Sequence, residues 1–181
     1  MPSEIIFQRL ALLAELSRRA RLGRTAIMKF LFFLQESKGV PLNYHFSLYS
    51  YGPFDSEVLA DISTAERLNV LKSSVAYYPS GTGYLYAAGS EANGIGDLAG
   101  DFLERHRVDV EWVLTNFSKK TAGELELLST ILFIVKYQNP KTVPNLVERV
   151  EKVKPHFSRE QIQMAFQELV ALNVLRTEPA R

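Results

Sequence analysis

An apolar helical segment followed by an aromatic extended segment constrains the fold of this chain more than any other feature. Residues 26–35 are apolar on every side of a helix, which predicts a central, buried helix. Residues 41–49 alternate apolar and polar side chains with the period of two that is typical of a half-buried strand or extended segment. The run ends at Gly52 and Pro53, which predict a turn into a third helix capped by Asp55.

The order of the predicted elements in the first half is that of a winged helix. Helical periodicity predicts a first helix over residues 4–20, and the buried second helix follows with Thr25 as its N-cap. The third helix leads into two β-prone runs, 70–78 and 84–88, which flank a glycine-rich turn and predict a hairpin. Three helices, an extended segment and a terminal hairpin predict a winged-helix-like domain over residues 1–89.

The second half of the chain is predicted to be a helical domain. Residues 90–96 are small and polar and predict a linker, whereas residues 97–181 carry apolar side chains at helical spacing. Capping boxes at Thr121 and Ser158 mark the starts of two helices. The expected fold class is mainly α (α+β), with a winged-helix-like N-terminal unit that includes a β-hairpin and a helical C-terminal unit.

The tetrapeptide Leu-Asn-Val-Leu occurs twice, at residues 68–71 and 172–175. Each copy follows the third of three predicted helices, where a winged helix passes from its third helix to its wing. Four common residues can also match by chance, so two explanations stay open. One of them is a structural repeat, in which the C-terminal unit repeats the helix-turn-helix arrangement without a full wing.

Composition and motifs argue against catalysis. The chain contains no cysteine, which excludes disulfides, thiolate nucleophiles, iron–sulfur clusters and cysteine-ligated zinc. Its 3 histidines are far apart in sequence, and none has a partner at ligand spacing. The glycine-rich run 94–100 is followed only by helical sequence, unlike a dinucleotide-binding loop. We therefore expect no enzymatic activity, no cofactor, no metal and no small-molecule substrate.

Nothing in the sequence predicts export or membrane insertion. Charged residues interrupt the apolar N-terminal stretch, which is typical of an amphipathic helix rather than a signal peptide. The longest apolar runs, 27–34 and 125–137, are shorter than the roughly 20 residues that a membrane helix needs. We therefore expect a cytoplasmic protein that does not contact a membrane.

DNA binding has to be judged from local clusters, because the net charge of the whole chain is only +1. The predicted third helix, which would enter the major groove, is acidic, and phosphates would repel it. A basic cluster around the penultimate helix is the better candidate for contacting a duplex, with a solvated surface as the alternative. The nucleic-acid-binding residues predicted there are Lys141, Arg149, Lys152, Lys154, Arg159 and Gln163.

Tyrosines are concentrated in the extended segment and the hairpin. Such side chains can stack on bases or anchor a protein partner, but they are also common in ordinary strands. Packing is the favoured interpretation for the group as a whole. The candidates for partner binding are the tyrosines of the hairpin, Tyr77, Tyr78, Tyr84 and Tyr86.

The run from Thr25 to Leu71 resembles the Panacea domain of SocA-like antitoxins and the YwgA-like bacterial proteins. The positions that carry the resemblance are Lys29, Phe32, Phe33, Gly39, Leu42, Phe46 and above all Gly52 and Pro53. Members of this group are non-enzymatic helical or winged-helix-like proteins found as antitoxins, phage-associated proteins and regulators, so the resemblance implies partner binding. This chain continues as Gly-Pro-Phe-Asp where the pattern has Gly-Pro-Val, and its C-terminal half lies outside the resemblance.

Two functions are compatible with these observations. The first is a DNA-associated transcriptional regulator of winged-helix type, whose C-terminal unit contacts DNA while its N-terminal unit mediates assembly. The second is a protein-binding module, antitoxin-like or adaptor-like, which docks a basic partner and does not contact DNA. Both predict a protein partner or self-association, and only the first predicts binding to a nucleic acid.

Overall fold

The chain is mainly helical with a small amount of antiparallel sheet, which confirms the predicted mainly α (α+β) class at this level. The computed structural model describes residues 2–78 and 81–176. In chain order these residues form α1 (Pro2–Arg19), β1 (Leu22–Gly23), α2 (Arg24–Lys38), β2 (Ser47–Tyr49), β3 (Gly52–Phe54), α3 (Ser56–Arg67), β4 (Leu71–Tyr78), β5 (Gly81–Ala88), α4 (Ala92–Leu98), α5 (Phe102–Arg105), α6 (Arg107–Phe117), α7 (Ala122–Gln138), α8 (Val143–Val153) and α9 (Arg159–Ala171). No helix in this part of the chain is long and apolar enough to cross a membrane.

Two compact units divide the chain, and their bounds differ from those of the predicted domains. The first unit comprises Met1–Phe46 and Asp55–Lys119, and the second comprises Ser47–Phe54 and Lys120–Arg181. The predicted boundary at residue 89 therefore lies inside the first unit. The physical reason is side-chain packing, because α6 packs on α2 in the first unit and β3 packs on α7 in the second.

The first unit contains the predicted hairpin as part of a three-stranded sheet in the order β1-β5-β4. Strands β4 and β5 pair antiparallel along their whole lengths and end with Tyr78 opposite Gly81. The short strand β1 pairs with the other side of β5. The prediction of a hairpin is confirmed, while Pro79 and Ser80 of its predicted turn lie outside the described residues.

Helix α2 is buried in the first unit, as its sequence predicts. Every residue from 27 to 34 is buried, and Phe33 stacks on Phe117 of α6 with ring centroids 4.3 Å apart. The prediction that Thr25 is the N-cap is wrong. The N-cap is Gly23, whose main chain already pairs with β5, so the chain enters α2 directly from a strand.

Residues 39–46 alternate in burial as predicted, but they form no β-strand. Side chains take the place of the neighbouring strand. The amide group of Gln35 accepts a hydrogen bond from Tyr44 N at 2.9 Å and donates one to Tyr44 O at 3.0 Å. Arg9 Nε donates to Leu42 O at 2.6 Å. Because these bonds satisfy the main chain, the segment does not need to join a sheet.

Most of the predicted linker, residues 92–96, is helical. Gly94 and Gly96 lie in α4. Its buried residues Ala92 and Ile95 lie on the same side as the buried Ala99, and α4 packs on α1. Burial of this apolar stripe outweighs the low helix propensity of glycine. After α4 the chain continues as the separate helices α5 and α6.

The turn in the aromatic segment lies earlier than predicted. Strands β2 and β3 pair antiparallel with Tyr49 opposite Gly52, so the chain turns at Ser50 and Tyr51. Gly52 and Pro53 belong to β3, and the prediction that they turn the chain into α3 is wrong. This small hairpin is part of the second unit.

Side-chain caps begin several helices where the sequence predicts them. Thr121 and Ser158 each form a complete capping box, at the starts of α7 and α9. Asp55 accepts a hydrogen bond from Glu57 N at 2.8 Å at the start of α3. These predictions succeed because a cap depends on residues within one turn of each other.

The two Leu-Asn-Val-Leu segments end their helices in the same way. Asn69 has φ 54° and Asn173 has φ 56°, which places both in the left-handed region that commonly ends helices. The next residue in each segment, Val70 or Val174, donates its N–H to a carbonyl five residues earlier. The matching sequence therefore has a local cause, since each copy forms the same helix cap.

Candidate functional site

Lys154, one of the predicted DNA contacts, is a buried structural residue. Its side chain is 1% exposed, and Nζ lies 2.7 Å from Glu126 Oε1 of α7. Nζ also donates to Tyr49 O at 3.1 Å and to Ser50 O in the turn between β2 and β3. A phosphate cannot reach this ammonium group, so the prediction for Lys154 is wrong.

Other members of the predicted basic cluster are engaged within the second unit. Arg159 donates from Nε and Nη2 to the two carboxylate oxygens of Glu151, at 2.9 and 2.7 Å. Arg149 Nη1 donates to Gln138 O, the C-terminal residue of α7, at 2.7 Å. The side chains of Lys141, Lys152 and Gln163 are exposed. The cluster is thus less basic than its sequence implies, because Glu126 and Glu151 neutralise two of its members.

Gly52 allows the β2–β3 hairpin to lie directly against α7. Its φ is +86°, and a Cβ at this position would lie 3.1 Å from Ser129 Oγ and 3.3 Å from both Glu126 O and Thr130 Oγ1. Any other residue would therefore meet both backbone strain and a helix surface. Gly52 of the Gly-Pro motif thus has a packing role. Lys154, at the C-terminal end of α8, holds the same hairpin through its bonds to the turn between β2 and β3. The sequence signal for this site was Glu126, a carboxylate inside an otherwise apolar helical run.

A second buried polar cluster lies in the first unit, and it changes the interpretation of α3. Asp61 is one of the acidic residues of the third helix, which the sequence predicts to face DNA, but it is buried and accepts a hydrogen bond from Tyr44 Oη at 2.8 Å. Arg9 Nη1 lies 2.6 Å from Glu57 Oε1 and 3.6 Å from Asp61 Oδ2. Burial raises the pKa of Asp61, and burial together with the neighbouring Asp61 carboxylate raises the pKa of Tyr44. The cluster fastens residues 42–44 to α1 and α3.

The hairpin tyrosines do not share one environment. Tyr77 is 83% exposed, and Tyr78 and Tyr84 are also exposed. Tyr86 is fully buried and its hydroxyl accepts a hydrogen bond from Arg24 Nε at 2.9 Å, so the prediction that it binds a partner is wrong. Three of the exposed apolar side chains, Val75, Tyr77 and Tyr84, lie on one face of the hairpin, because Val75 pairs with Tyr84 and Tyr77 is two residues further along β4.

An apolar groove of about 620 Å³ lies between α7 and α9 in the second unit. Its apolar lining consists of Leu127, Leu128, Phe157, Met164, Ala165 and Ala171. Met164 projects from α9 with 71% of its surface exposed. An unbranched thioether side chain adapts to partners of different shape and is common at binding surfaces. Residues on two separate helices create this groove, so no local sequence pattern indicates it.

The rim of this groove carries two carboxylates that share one cation. Lys120 Nζ lies 2.7 Å from Glu168 Oε1 and 3.8 Å from Glu124 Oε1. Hydrogen bonds from the main chain and hydroxyl of Thr121 lower the pKa of Glu124, which keeps it ionised near neutral pH. Gln161 and Gln167 add neutral polar groups. The rim is therefore net negative around an apolar floor.

Acidic side chains do not gather into a metal site in the described part of the chain. Within residues 2–78 and 81–176, no three histidine, aspartate or glutamate side chains are grouped so that they could hold a metal ion. Asp101 instead pairs with Arg105 at 3.0 Å on the exposed surface of α5.

Comparison with protein-family profiles and with curated proteins finds no match to this chain. The similarity to the Panacea domain therefore stays a prediction that depends on the residues between Thr25 and Leu71. The groove, the hairpin face and the two buried clusters are the observations from which function can be argued.

Proposed function

We propose that this protein is a non-enzymatic regulatory protein of winged-helix type that acts by binding another protein. The observation that carries the proposal is the groove between α7 and α9, with the exposed Met164 and the apolar Leu127 and Phe157 in its lining. A groove between two helices is a common docking place for the apolar stripe of an amphipathic helix. The net negative rim formed by Glu124, Glu168 and Lys120 favours a partner helix with basic flanks.

The first unit supports the winged-helix part of this proposal. Its elements follow in the order helix, short strand, helix, helix and hairpin, and β1 joins the hairpin at β5. In this arrangement α3 would be the helix that reads DNA. Its exposed surface includes Glu57, and Arg67 is the basic residue of its last turn. Arg9 neutralises Glu57 and Asp61 is buried, so the surface of this helix is less acidic than its sequence implies.

An antitoxin-like or adaptor-like role is the specific form of the proposal. The resemblance to SocA-like antitoxins implies a protein partner, and antitoxins act by covering such a partner. The acidic rim of the groove agrees with a basic partner segment. The product of a neighbouring gene is the first partner to examine.

DNA association is the second candidate function, and a specific observation favours it. Lys141, Lys152 and Gln163 keep exposed side chains in or near α8 and α9. Basic and amide side chains of this kind can contact phosphates and bases. We rank this candidate second because Lys154 and Arg159 are held by carboxylates of the same unit.

The deciding experiment uses a matched pair of substitutions. Met164 in α9 and Val108 in α6 are apolar side chains that are each 71% exposed, so Met164→Glu and Val108→Glu add the same charge at equal exposure. The probe is a fluorescent helical peptide with leucines at positions i, i+3, i+4 and i+7 and lysines beside them. Binding is measured by fluorescence anisotropy.

We expect the wild-type protein and Val108→Glu to bind the peptide with equal affinity. Met164→Glu should bind it at least about tenfold more weakly, which is a loss of about 1.4 kcal/mol in binding free energy. Equal weakening by both substitutions, or no binding by the wild-type protein, would contradict the proposal. Salt-sensitive binding to a DNA duplex that Lys152→Glu abolishes would favour the second candidate instead.

A further inference from the structure

Strand β4 leaves one of its edges open in the first unit. The sheet order is β1-β5-β4, so β5 covers one side of β4 and no strand covers the other among the described residues. Natural proteins usually protect such an edge with proline, charged side chains or a bulge. The 8 residues of β4 include no proline and one charged residue, Lys72, and their pairing with β5 runs without interruption.

Exposed apolar side chains accompany this open edge. Val75 is 53% exposed on β4, and the more exposed Tyr77 follows it on the same face. Tyr84 lies opposite Val75 on β5, which extends the apolar surface across the hairpin. Tyr78 is exposed on the other face. Apolar surface on both faces of an unpaired edge favours an extended strand as the partner, because a strand would cover both faces and pair the main chain.

Alternate residues of β4 direct their main-chain N–H and C=O groups towards β5, and the others direct them to the open edge. Gly89 N donates to Val70 O at 2.8 Å, and Tyr78 is paired with Gly81 at the other end of the hairpin. In an antiparallel pair, hydrogen-bonded residues alternate with residues whose main chain points away. Since Val70 bonds towards β5, the even-numbered residues of β4 do so. The N–H and C=O groups of Ser73, Val75 and Tyr77 therefore point to the open edge.

We propose that two copies of this chain pair through β4, antiparallel, about a two-fold axis at Val75. In this register Val75 lies opposite Val75 of the second copy, and Ser73 lies opposite Tyr77, with all the outward-pointing groups of these residues bonded. On the other face, Lys72 lies opposite Tyr78. The result is one continuous six-stranded sheet in the order β1-β5-β4-β4-β5-β1.

A second copy fits this edge because the strand is self-complementary. In a two-fold interface, each residue must be compatible with the residue that the axis places opposite it. The single charge, Lys72, lies far from Lys72 of the other copy and faces an aromatic ring, with which an ammonium group interacts favourably. Val75 meets an identical β-branched side chain, which packs well across strands. This surface lies in the first unit and does not depend on the groove between α7 and α9.

The test uses charge reversal at the two-fold axis. Val75→Lys brings two ammonium groups directly opposite each other, and Val75→Glu does the same with two carboxylates, so each variant alone is expected to be monomeric. A mixture of the two variants is expected to form a heterodimer, because opposite charges then meet at the axis. Thr82→Lys adds the same charge on β5, away from the open edge, and is the control. Molar mass is measured by light scattering and sedimentation across a concentration series, with circular dichroism to verify the fold.

Dimerisation of the wild-type protein and of Thr82→Lys, loss of the dimer in each Val75 variant, and association in the mixture would support the proposal. A monomeric wild-type protein at every concentration would overturn it. A Val75→Lys variant that dimerises as well as the wild type would also overturn it, since the interface would then lie elsewhere. Met164→Glu is expected to leave the dimer unchanged, which separates this test from that of the groove.

Discussion

Each of the two units contains a buried cation that binds main-chain carbonyls, and together the two sites show how a chain stabilises irregular backbone. In the first unit Arg9 donates to Leu42 O at 2.6 Å and Asn43 O at 3.0 Å, and carboxylates neutralise it. In the second unit Lys154 donates to Tyr49 O and Ser50 O, and Glu126 neutralises it. Both cations thus supply donors to main-chain carbonyls, in an extended segment outside any sheet in the first unit and at the turn between β2 and β3 in the second. The difference is geometric, because a guanidinium group binds through a rigid planar fork and an ammonium group binds as a point charge.

The largest expected effect is the loss of the buried cation in the second unit. Lys154→Met leaves the Glu126 carboxylate buried without its counter-charge, and we expect the free energy of unfolding to fall by about 3–5 kcal/mol. Urea denaturation measures this change. Lys152→Met, at an exposed position nearby, is the control and is expected to change the free energy little.

A double variant tests whether the unpaired Glu126 carboxylate causes this loss of stability. Replacing Glu126 with leucine in the Lys154→Met background removes the unpaired carboxylate, so part of the lost stability should return. If Lys154→Met were no less stable than Lys152→Met, the ion pair would have no stabilising role.

The next effect tests whether the two cations are interchangeable. Arg9→Lys keeps the charge but cannot reach both carbonyls and both carboxylates, so we expect a loss of about 1.5–3 kcal/mol for a lost charged hydrogen bond. The exposed substitution Arg105→Lys should be nearly neutral. Thermal and urea unfolding measure both variants. An Arg9→Lys variant as stable as the wild type would show that charge alone holds residues 42–44.

Gly52 provides a third way to disturb the second unit. Gly52→Ala introduces a Cβ about 3.1–3.3 Å from three atoms of α7 at a positive φ, and we expect a loss of about 1–3 kcal/mol. Within residues 2–78 and 81–176, no atom lies within 4 Å of the Cβ position of Gly94 in α4, so Gly94→Ala should stabilise its helix by roughly 0.5–1 kcal/mol. Chemical denaturation compares the pair. The same sign of change for both substitutions would contradict the close packing inferred at Gly52.

The smallest effect is a pH dependence in the first unit. Burial raises the pKa of Asp61 above its usual 3.8, so the folded state holds the proton more tightly than the unfolded state. The resulting contribution to stability is present below pH 3.8 and is lost as the pH rises through the raised value. Asp61→Asn removes this dependence.

The measurement is the free energy of unfolding of the wild type and the variant across a pH series. The advantage of the wild type over Asp61→Asn should decrease as the pH rises above 3.8. Asp97→Asn, on the exposed surface of α4, is the control. A constant difference between wild type and Asp61→Asn over the whole series would show that the pKa of Asp61 is not raised.

Local features of the fold were predictable from the sequence. The capping boxes at Thr121 and Ser158, the cap at Asp55 and the hairpin of β4 and β5 all depend on residues close together in the chain. Errors occurred where distant residues compete with local propensity. The run containing Gly94 became helical because its small apolar face is buried.

The candidate sites were less predictable, because burial separates residues that look alike in sequence. Lys152 and Lys154 belong to the same basic run, but one is exposed and the other is fully enclosed. Tyr84 and Tyr86 lie on the same face of β5 and have the same residue type, yet Tyr86 is buried and Tyr84 is exposed. Periodicity cannot distinguish the members of such a pair.

Residue order alone predicts a mainly helical chain, the starts of many of its helices and a hairpin after the third helix. Hydrophobic periodicity and caps act over a few residues, so their physical basis is present in the local sequence. Residue order does not show that Gly52 belongs to a strand lying on α7, that Lys154 and Asp61 are buried, or that a groove opens between α7 and α9. These features depend on contacts between residues far apart in the chain, and burial and electrostatics at each position are set by those distant neighbours.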